Sequence, residues 1–191
     1  MTGERAPTAN APRVGEAGVG DAGQPAFFAP AGRLPDGVSI GPVAWRELAA
    51  VSRLQRRVFR AGLAYRLPTL AMLKVLPGGR FLVARHGGDI VGCAIGDQEG
   101  GRPRVVNLAV DPGWRGRGIG GALLAVLEEE LPGDDIVLMV ETGNTVARAL
   151  YLRAGYQPDG SAANYYGPGR HGVWMRKRRD GQPSSSERLL L

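Results

Sequence analysis

Four glycines and two arginines crowd one short stretch, Arg115-Gly-Arg-Gly-Ile-Gly-Gly121, of this 191-residue chain. Gly116, Gly118, Gly120 and Gly121 let main-chain N–H groups approach a ligand without Cβ obstruction. From Gly120 the pattern turns helical through Ala122, Leu123, Leu124, Ala125, Val126 and Leu127. The bare N–H groups of a helix start favour an anion. Arg115 and Arg117 stand at that same end, where the helix dipole disfavours a cation. A bound phosphate or pyrophosphate would resolve the conflict. Ahead of the loop, Leu108-Ala-Val110 is apolar and β-compatible, and Asp111-Pro-Gly113 stops it.

Two patterns fit these glycines, beside a plain turn with no ligand. Gly116-x-Gly118-x-x-Gly121 formally matches the dinucleotide fingerprint. In that fold, however, the first glycine follows its strand directly, early in a long βαβ series. Here Asp111 to Arg115 intervene and some 70 residues remain, too few for most of such a sheet. The pattern [Gln/Arg]-x-x-Gly-x-[Gly/Ala] is met by Arg115, Gly118 and Gly120, with Asn107-Leu-Ala-Val-Asp-Pro before and Gly-Ala-Leu-Leu after. This resembles the acyl-CoA pyrophosphate loop of the GNAT superfamily of N-acetyltransferases.

The second half carries the same resemblance. Asn144-Thr-Val-Ala-Arg-Ala-Leu-Tyr-Leu-Arg-Ala-Gly-Tyr156 is similar to the family's N-x-x-A-x-x-L-Y-x-x-x-G-F segment. The likeness spans Val38 to Arg178 and is most specific from Asn107 to Tyr156. The pair Tyr165-Tyr166 resembles protein N-terminal acetyltransferases, ribosomal-protein-alanine enzymes among them. The resemblance implies an α/β fold: one domain with a mixed, mostly antiparallel sheet flanked by helices. It implies acetyl-CoA as co-substrate and transfer of an acetyl group to a primary amine, either a protein N-terminal α-amine or a lysine. A small-molecule amine is a second acceptor class. A non-catalytic acyl-CoA-binding or ribosome-associated module is a third reading.

Site roles follow from the resemblance, each beside a plainer alternative. The backbone of Leu108, Ala109 and Val110 would hold the pantetheine arm, and Arg115 to Gly121, Ile119 included, the pyrophosphate. Asn144 would reach the co-substrate, or serve only as a helix cap. Tyr151 would protonate the leaving thiolate, since a phenol near pKa 10 can protonate a thiolate near 8.5 at modest cost; otherwise it is a packing residue. The ribosomal-alanine enzymes carry a glutamate twelve residues before that tyrosine; here the position is Met139, which accepts no proton. Glu141, two residues on, would share its face if the strand stays regular that far, and could act through a water or be a solvated carboxylate. A third option needs no base, because a terminal α-amine near pKa 8 is partly neutral at pH 7. Tyr165 and Tyr166 would line a peptide entrance, or pack at a sheet edge.

These residues require elements to carry them. Val38 to Val43 reads as a strand, and Trp45 to Phe59 as a helix with Leu48, Val51, Leu54 and Val58 on one face. Pro68 opens a second helix that runs to Leu76. Arg80–Arg85 and Asp89–Gly96 form a hairpin, and Arg104–Val110 the next strand. The loop helix runs to Leu131, a buried strand follows over Ile136–Val140, then the Asn144 helix and a final strand Gly172–Met175. Glu128-Glu-Glu130 opposes the helix dipole with no reason beyond exposure.

The remaining composition bounds the cell biology. Residues 1–36, rich in Ala, Gly and Pro, read as a flexible arm; 37–178 as the catalytic domain; 179–191 as a flexible tail. No secretory signal or membrane-length apolar run is visible. Cys93 is alone, so no internal disulfide forms, and a cytoplasmic location is expected. Metal-ligand spacing is absent, so no metal is expected. Net charge is +6, part of it in Arg176-Lys-Arg-Arg179, which reads as a solvated tail or as a ribosome or RNA contact. His86 and His171, each beside glycine, read as surface residues.

Overall fold

Short apolar runs separated by glycine turns fold into a seven-stranded sheet in the computed structural model, which describes residues 34–179. The arm expected over 1–36 lies outside the described residues except for 34–36, and the tail expected over 179–191 except for Arg179. In chain order the elements are β1 (Val38–Pro42), α1 (Leu48–Val58), α2 (Leu67–Val75), β2 (Arg80–His86), β3 (Asp89–Glu99) and β4 (Arg102–Val110). Then come α3 (Ile119–Glu130), β5 (Asp135–Glu141), α4 (Thr145–Arg153), β6 (Gln157–Ala162) and β7 (Gly172–Arg178). The sheet order is β1-β2-β3-β4-β5-β7-β6. Every neighbouring pair is antiparallel except β4 and β5.

The parallel pair decides where a site can exist. β4 and β5 are in register only at Arg104↔Val137 and Val105↔Leu138. Beyond that point Leu108–Val110 and Met139–Glu141 have no partner strand between them. On its other edge β4 has a bulge: Ile95 aligns with Asn107 and Gly96 with Val105, leaving Val106 extra. A bulge bends its strand and increases the local twist. This one sits where β4 leaves β5, which accounts for the opening in mid-sheet.

Each sheet face has its own core. On one, Leu123, Leu124 and Leu127 of α3 pack with Ile136, Leu138 and Val140 of β5 and with Tyr151 and Tyr156. Two glycines set the approach of α3: a Cβ at Gly92 would fall 2.9 Å from Leu123 Cδ1, and one at Gly96 2.7 Å from Leu131 Cδ1. Burying each of these leucines contributes up to about 2–3 kcal/mol. On the other face, Leu48, Val51 and Leu54 of α1 and Leu70 of α2 pack on Phe81, Val83, Cys93 and Ala109.

The strand β6 escaped the sequence pattern. Its residues Gln157-Pro-Asp-Gly-Ser-Ala are almost wholly exposed, and it exists by pairing with β7 across an irregularity at Pro158/Ser161. The basic run is not a solvated tail as far as Arg179. Arg176 pairs with Asp159 (2.6 Å) and Asp135 (3.2 Å), and Lys177 with Glu128 (2.5 Å). Arg179 donates to the Gly133 carbonyl at 3.0 Å. These pairs also explain the acidic end of α3, because Glu128 meets Lys177 and Glu130 lies 3.8 Å from Arg80. Among the described residues, no helix is long and apolar enough to cross a membrane.

Candidate active site

A cavity of about 880 Å³ lies on the α3/α4 side of the sheet, beside the end of β4. Leu108 and Val110 contribute from β4, Arg115, Gly116 and Gly118 from the loop, Ile119, Gly120 and Gly121 from α3, and Asn144, Leu150 and Tyr151 from the next helix and its cap. The sequence also missed contributors: Phe59 at the end of α1, Trp114 and Arg153 line it too. Their types carry no motif, so only the fold could bring them there.

The loop geometry follows from its glycines. Asp111 caps a 3-10 turn over Pro112–Trp114, its carboxylate accepting from Gly113 N at 3.0 Å. Gly116 (φ 75°) and Gly118 (φ 81°) then hold left-handed backbone, Gly118 as the N-cap of α3. A Cβ on Gly116 or Gly121 would meet no protein atom within 4 Å, so the space they leave is open. Arg115 donates to the Val110 carbonyl at 3.3 Å. The Arg117 guanidinium lies 4.8 Å from the centre of the Trp114 ring, and the Trp114 and His86 rings meet at a tilt of 47°, 4.5 Å between centres. Of the residues expected here, Arg117 is therefore turned onto Trp114 rather than into the cavity.

The open edge of β4 has a definite polarity. Asp111 N donates to Val91 O on β3 at 2.9 Å. By the two-residue period, the main chain of Ala109 faces β3 as well, and that of Leu108 and Val110 faces the gap. Ala109 is aligned with Cys93, is 1% exposed, and packs in the α1 core. Of the three residues expected to hold the arm, Leu108 and Val110 thus turn their main chain to the gap and Ala109 turns its to β3. A buried amide pair fixes the same place. Gln55 of α1 donates to Asn107 Oδ1 at 2.7 Å, and Asn107 Nδ2 donates back at 3.3 Å.

Tyr151 is 7% exposed, lines the cavity, and stands edge-on to Tyr156 at 5.8 Å. Burial pushes its phenol well above the ordinary tyrosine value, and the nearby Tyr166 adds to this. Asn144 caps α4, its Oδ1 accepting from Ala147 N at 3.1 Å, and also lines the cavity. Its two expected roles are compatible.

The other candidates lie across the sheet, on the α1/α2 face. β5 stays regular to its end, so Val137, Met139 and Glu141 share a face opposite buried Ile136, Leu138 and Val140. Tyr166 donates its hydroxyl to the Met139 carbonyl at 3.0 Å and meets Tyr165 edge-on at 5.0 Å. Burial, helped by Tyr165 and Glu141, pushes the Tyr166 phenol up to about 12. Glu141 is clasped by Arg170 through two 2.7 Å hydrogen bonds. That guanidinium holds its carboxyl below the usual range, which makes it a weak proton acceptor. Arg170 had no signal in the sequence. The β6–β7 loop carries it, with Asn164 at φ 56° shaping the turn.

An anion loop and a cavity thus stand on the α3/α4 side of the sheet, and an aromatic and charged cluster on the other. Residues 77–158 match the family model described as an acetyltransferase (GNAT) domain. The chain is 33% identical over 150 residues to an uncharacterized N-acetyltransferase of Methanocaldococcus jannaschii, covering 76% of this chain and 93% of that protein. It is 36% identical over 112 residues to an N-alpha-acetyltransferase, RimI, of Mycobacterium tuberculosis, covering 56% of this chain and 71% of that one. The fold matches the ribosomal-protein-S18-alanine N-acetyltransferase of Escherichia coli with a TM-score of 0.67 at 22% identity, over 78% of this chain and 97% of that chain.

The chain therefore belongs to the GNAT acetyltransferases. It is an acyltransferase of the acetyl-CoA-dependent class, and its seven-stranded, mostly antiparallel sheet with four flanking helices is that family's fold. The residues present fit acetyl-CoA: a strand edge at Leu108 and Val110 that faces the gap, open space at Gly116 and Gly121, and a cavity of about 880 Å³ between them and Tyr151.

Proposed function

We propose that this enzyme acetylates the N-terminal α-amine of a polypeptide. One observation carries the reading: among the described residues, the acceptor face offers no strong base. Met139 stands where a carboxylate would, and Glu141 is held below its ordinary range by Arg170. An α-amine near pKa 8 is partly neutral at pH 7 without help, whereas a lysine near 10.4 is not. The tyrosine pair beside the gap supports a polypeptide, with aromatic surface and hydroxyls able to meet its backbone. The N-alpha-acetyltransferase relative agrees with this choice.

The co-substrate supplies an acetyl thioester. Gly116, Gly118 and the first turn of α3 hold its pyrophosphate through main-chain N–H groups, with Arg115 balancing charge. Leu108 and Val110 hold the arm by the main-chain groups they turn to the gap, once Arg115 releases the Val110 carbonyl, and an N–H there polarises the thioester carbonyl. The acceptor enters from the Tyr165 and Tyr166 side through the gap. Its nitrogen bonds to the carbonyl carbon as the carbon–sulfur bond breaks. Tyr151 gives its proton to the departing sulfur and regains one from solvent, while the amine releases one through water near Glu141.

Thiol release in the presence of acetyl-CoA tests this against three acceptors: a peptide with a free N-terminus, the same peptide Nα-blocked but carrying lysine, and small amines such as spermidine. The free N-terminus should be preferred at least tenfold in kcat/KM. Preference for a small amine would replace the polypeptide reading with that of a small-molecule acetyltransferase.

A further inference from the structure

The outer surface of α1 and α2 belongs to no part of the mechanism. Between Trp45 and Leu76 the chain carries seven basic residues and one acid, Glu47. Arg85 already holds that acid at 2.6 Å. α1 buries Leu48, Val51, Ser52, Leu54 and Gln55. By the helical period, Arg53, Arg56 and Arg57 stand on the opposite face. Arg46 lies in the turn before α1 and Arg60 just beyond its end, so a basic column runs the length of the helix, about 16 Å. All five arginines are exposed. Arg57 pairs with Asp111 at 2.7 Å yet keeps its side chain 56% exposed, and Arg56 donates to Ser52 Oγ at 3.0 Å. Among the described residues, no carboxylate pairs with Arg46, Arg53 or Arg60.

A second, independent observation lies beside the column. α2 touches α1 and is apolar on every side except at Thr69 and Lys74, yet it buries only Leu70. A helix of that composition is ordinarily covered all round. Here Met72 and Val75, opposite Leu70, are 56% and 61% exposed, and Leu76 just beyond them is exposed too. Trp45 is 60% exposed, with the Lys74 ammonium 5.4 Å from its ring centre. Both helices pack on the same face of the sheet, so the arginine column and the apolar stripe look the same way.

We propose that this surface rests on an anionic lipid bilayer, its arginines among the headgroups and Trp45, Met72, Val75 and Leu76 in the interfacial layer. A second copy of the chain would bring two arginine columns together. A nucleic acid would meet the arginines and leave the apolar stripe of α2 in water. Anionic headgroups above acyl chains satisfy both at once. Tryptophan favours that boundary, and arginine stems lie along apolar surface with their heads in the polar layer. The chain lies on the membrane in this arrangement, and no helix has to cross it. The inference is independent of which amine is acetylated.

Flotation of the full chain with vesicles tests this. One set is phosphatidylcholine alone; the other contains about one quarter phosphatidylglycerol. Binding to the anionic set should be at least about tenfold tighter and should weaken as salt is added. Arg46→Gln and Arg53→Gln should each cost about fivefold in affinity, with Tm unchanged because neither side chain has a carboxylate partner. Met72→Ser combined with Val75→Ser should cost about tenfold, even in low salt. Lipids brominated near the headgroup should quench tryptophan fluorescence, and Trp45→Phe should remove most of that quenching. No binding, equal binding to the two vesicle sets, or unchanged affinity when Arg46→Gln and Arg53→Gln are combined overturns the inference. Tight binding of a duplex RNA without vesicle binding also overturns it and assigns the column to nucleic acid.

Discussion

The amide pair between Gln55 and Asn107 can be cut and its effect measured. Gln55 is fully buried and Asn107 is 9% exposed, and they exchange two hydrogen bonds of 2.7 and 3.3 Å. The pair ties α1 to β4 at the bulge, next to the main-chain groups of Leu108 and Val110. Asn107→Leu would leave the Gln55 amide buried without its principal partner, and Gln55→Met would do the same to Asn107. Each orphaned amide should cost about 1–3 kcal/mol. For a chain of this size that lowers Tm by about 2–10 °C. Removing both amides leaves no orphan, so the double variant should lose at least about 1 kcal/mol less than the two single losses combined. Urea unfolding of the wild type and three variants measures the cycle. The singles should also raise KM for acetyl-CoA, because the strand edge is held from this side. Additive losses within about 0.5 kcal/mol would show instead that the two side chains do not act as a unit.

Other expectations follow from the site. Tyr151→Phe should lower kcat by about 10²–10⁴ while leaving acetyl-CoA affinity within about twofold; an unchanged kcat removes Tyr151 as the proton donor. Gly121→Ala should separate stability from binding. Its Cβ meets no protein atom within 4 Å, so the helix gains up to about 1 kcal/mol, yet the methyl enters the anion path and KM for acetyl-CoA should rise. If Tm and KM both stay unchanged, no ligand approaches this turn. Arg170 keeps Glu141 ionised well below neutral pH, so the rise of kcat/KM with pH should follow the acceptor amine near 8. In Arg170→Gln the Glu141 carboxyl returns upward towards 4.5 and that rise should stay in place. The pair's contribution to stability is present above the ordinary carboxylate value and lost as pH falls through the lowered one. A wild-type profile limited by a group titrating near 6 would point to a different base.

Much of the site was legible because it is written in local chemistry. Glycines that must adopt positive φ, a capping asparagine and a helix starting at an anion loop all act within a few residues of themselves. Gly116, Gly118 and Asn144 therefore stand where spacing put them. What stayed hidden depends on strands distant in sequence. The facing of Ala109 towards β3 is set by its register with Cys93, and no apolar count shows which edge a main chain presents. β6 has no alternation of its own and exists because β7 pairs with it. Arg176 and Lys177 looked like a solvated tail because Asp135, Asp159 and Glu128, their partners, lie up to 49 residues away. Arg170 was invisible for the same reason, and it changes how Glu141 can act.

The most direct measurement uses one peptide that carries both a free N-terminus and an internal lysine, incubated with acetyl-CoA and the enzyme. Fragmentation mass spectrometry then locates the acetyl group. A single acetyl on the α-amine is expected, formed slowly or not at all by Tyr151→Phe. An acetyl on the lysine side chain, or an untouched peptide beside rapid turnover of a small amine, would contradict it.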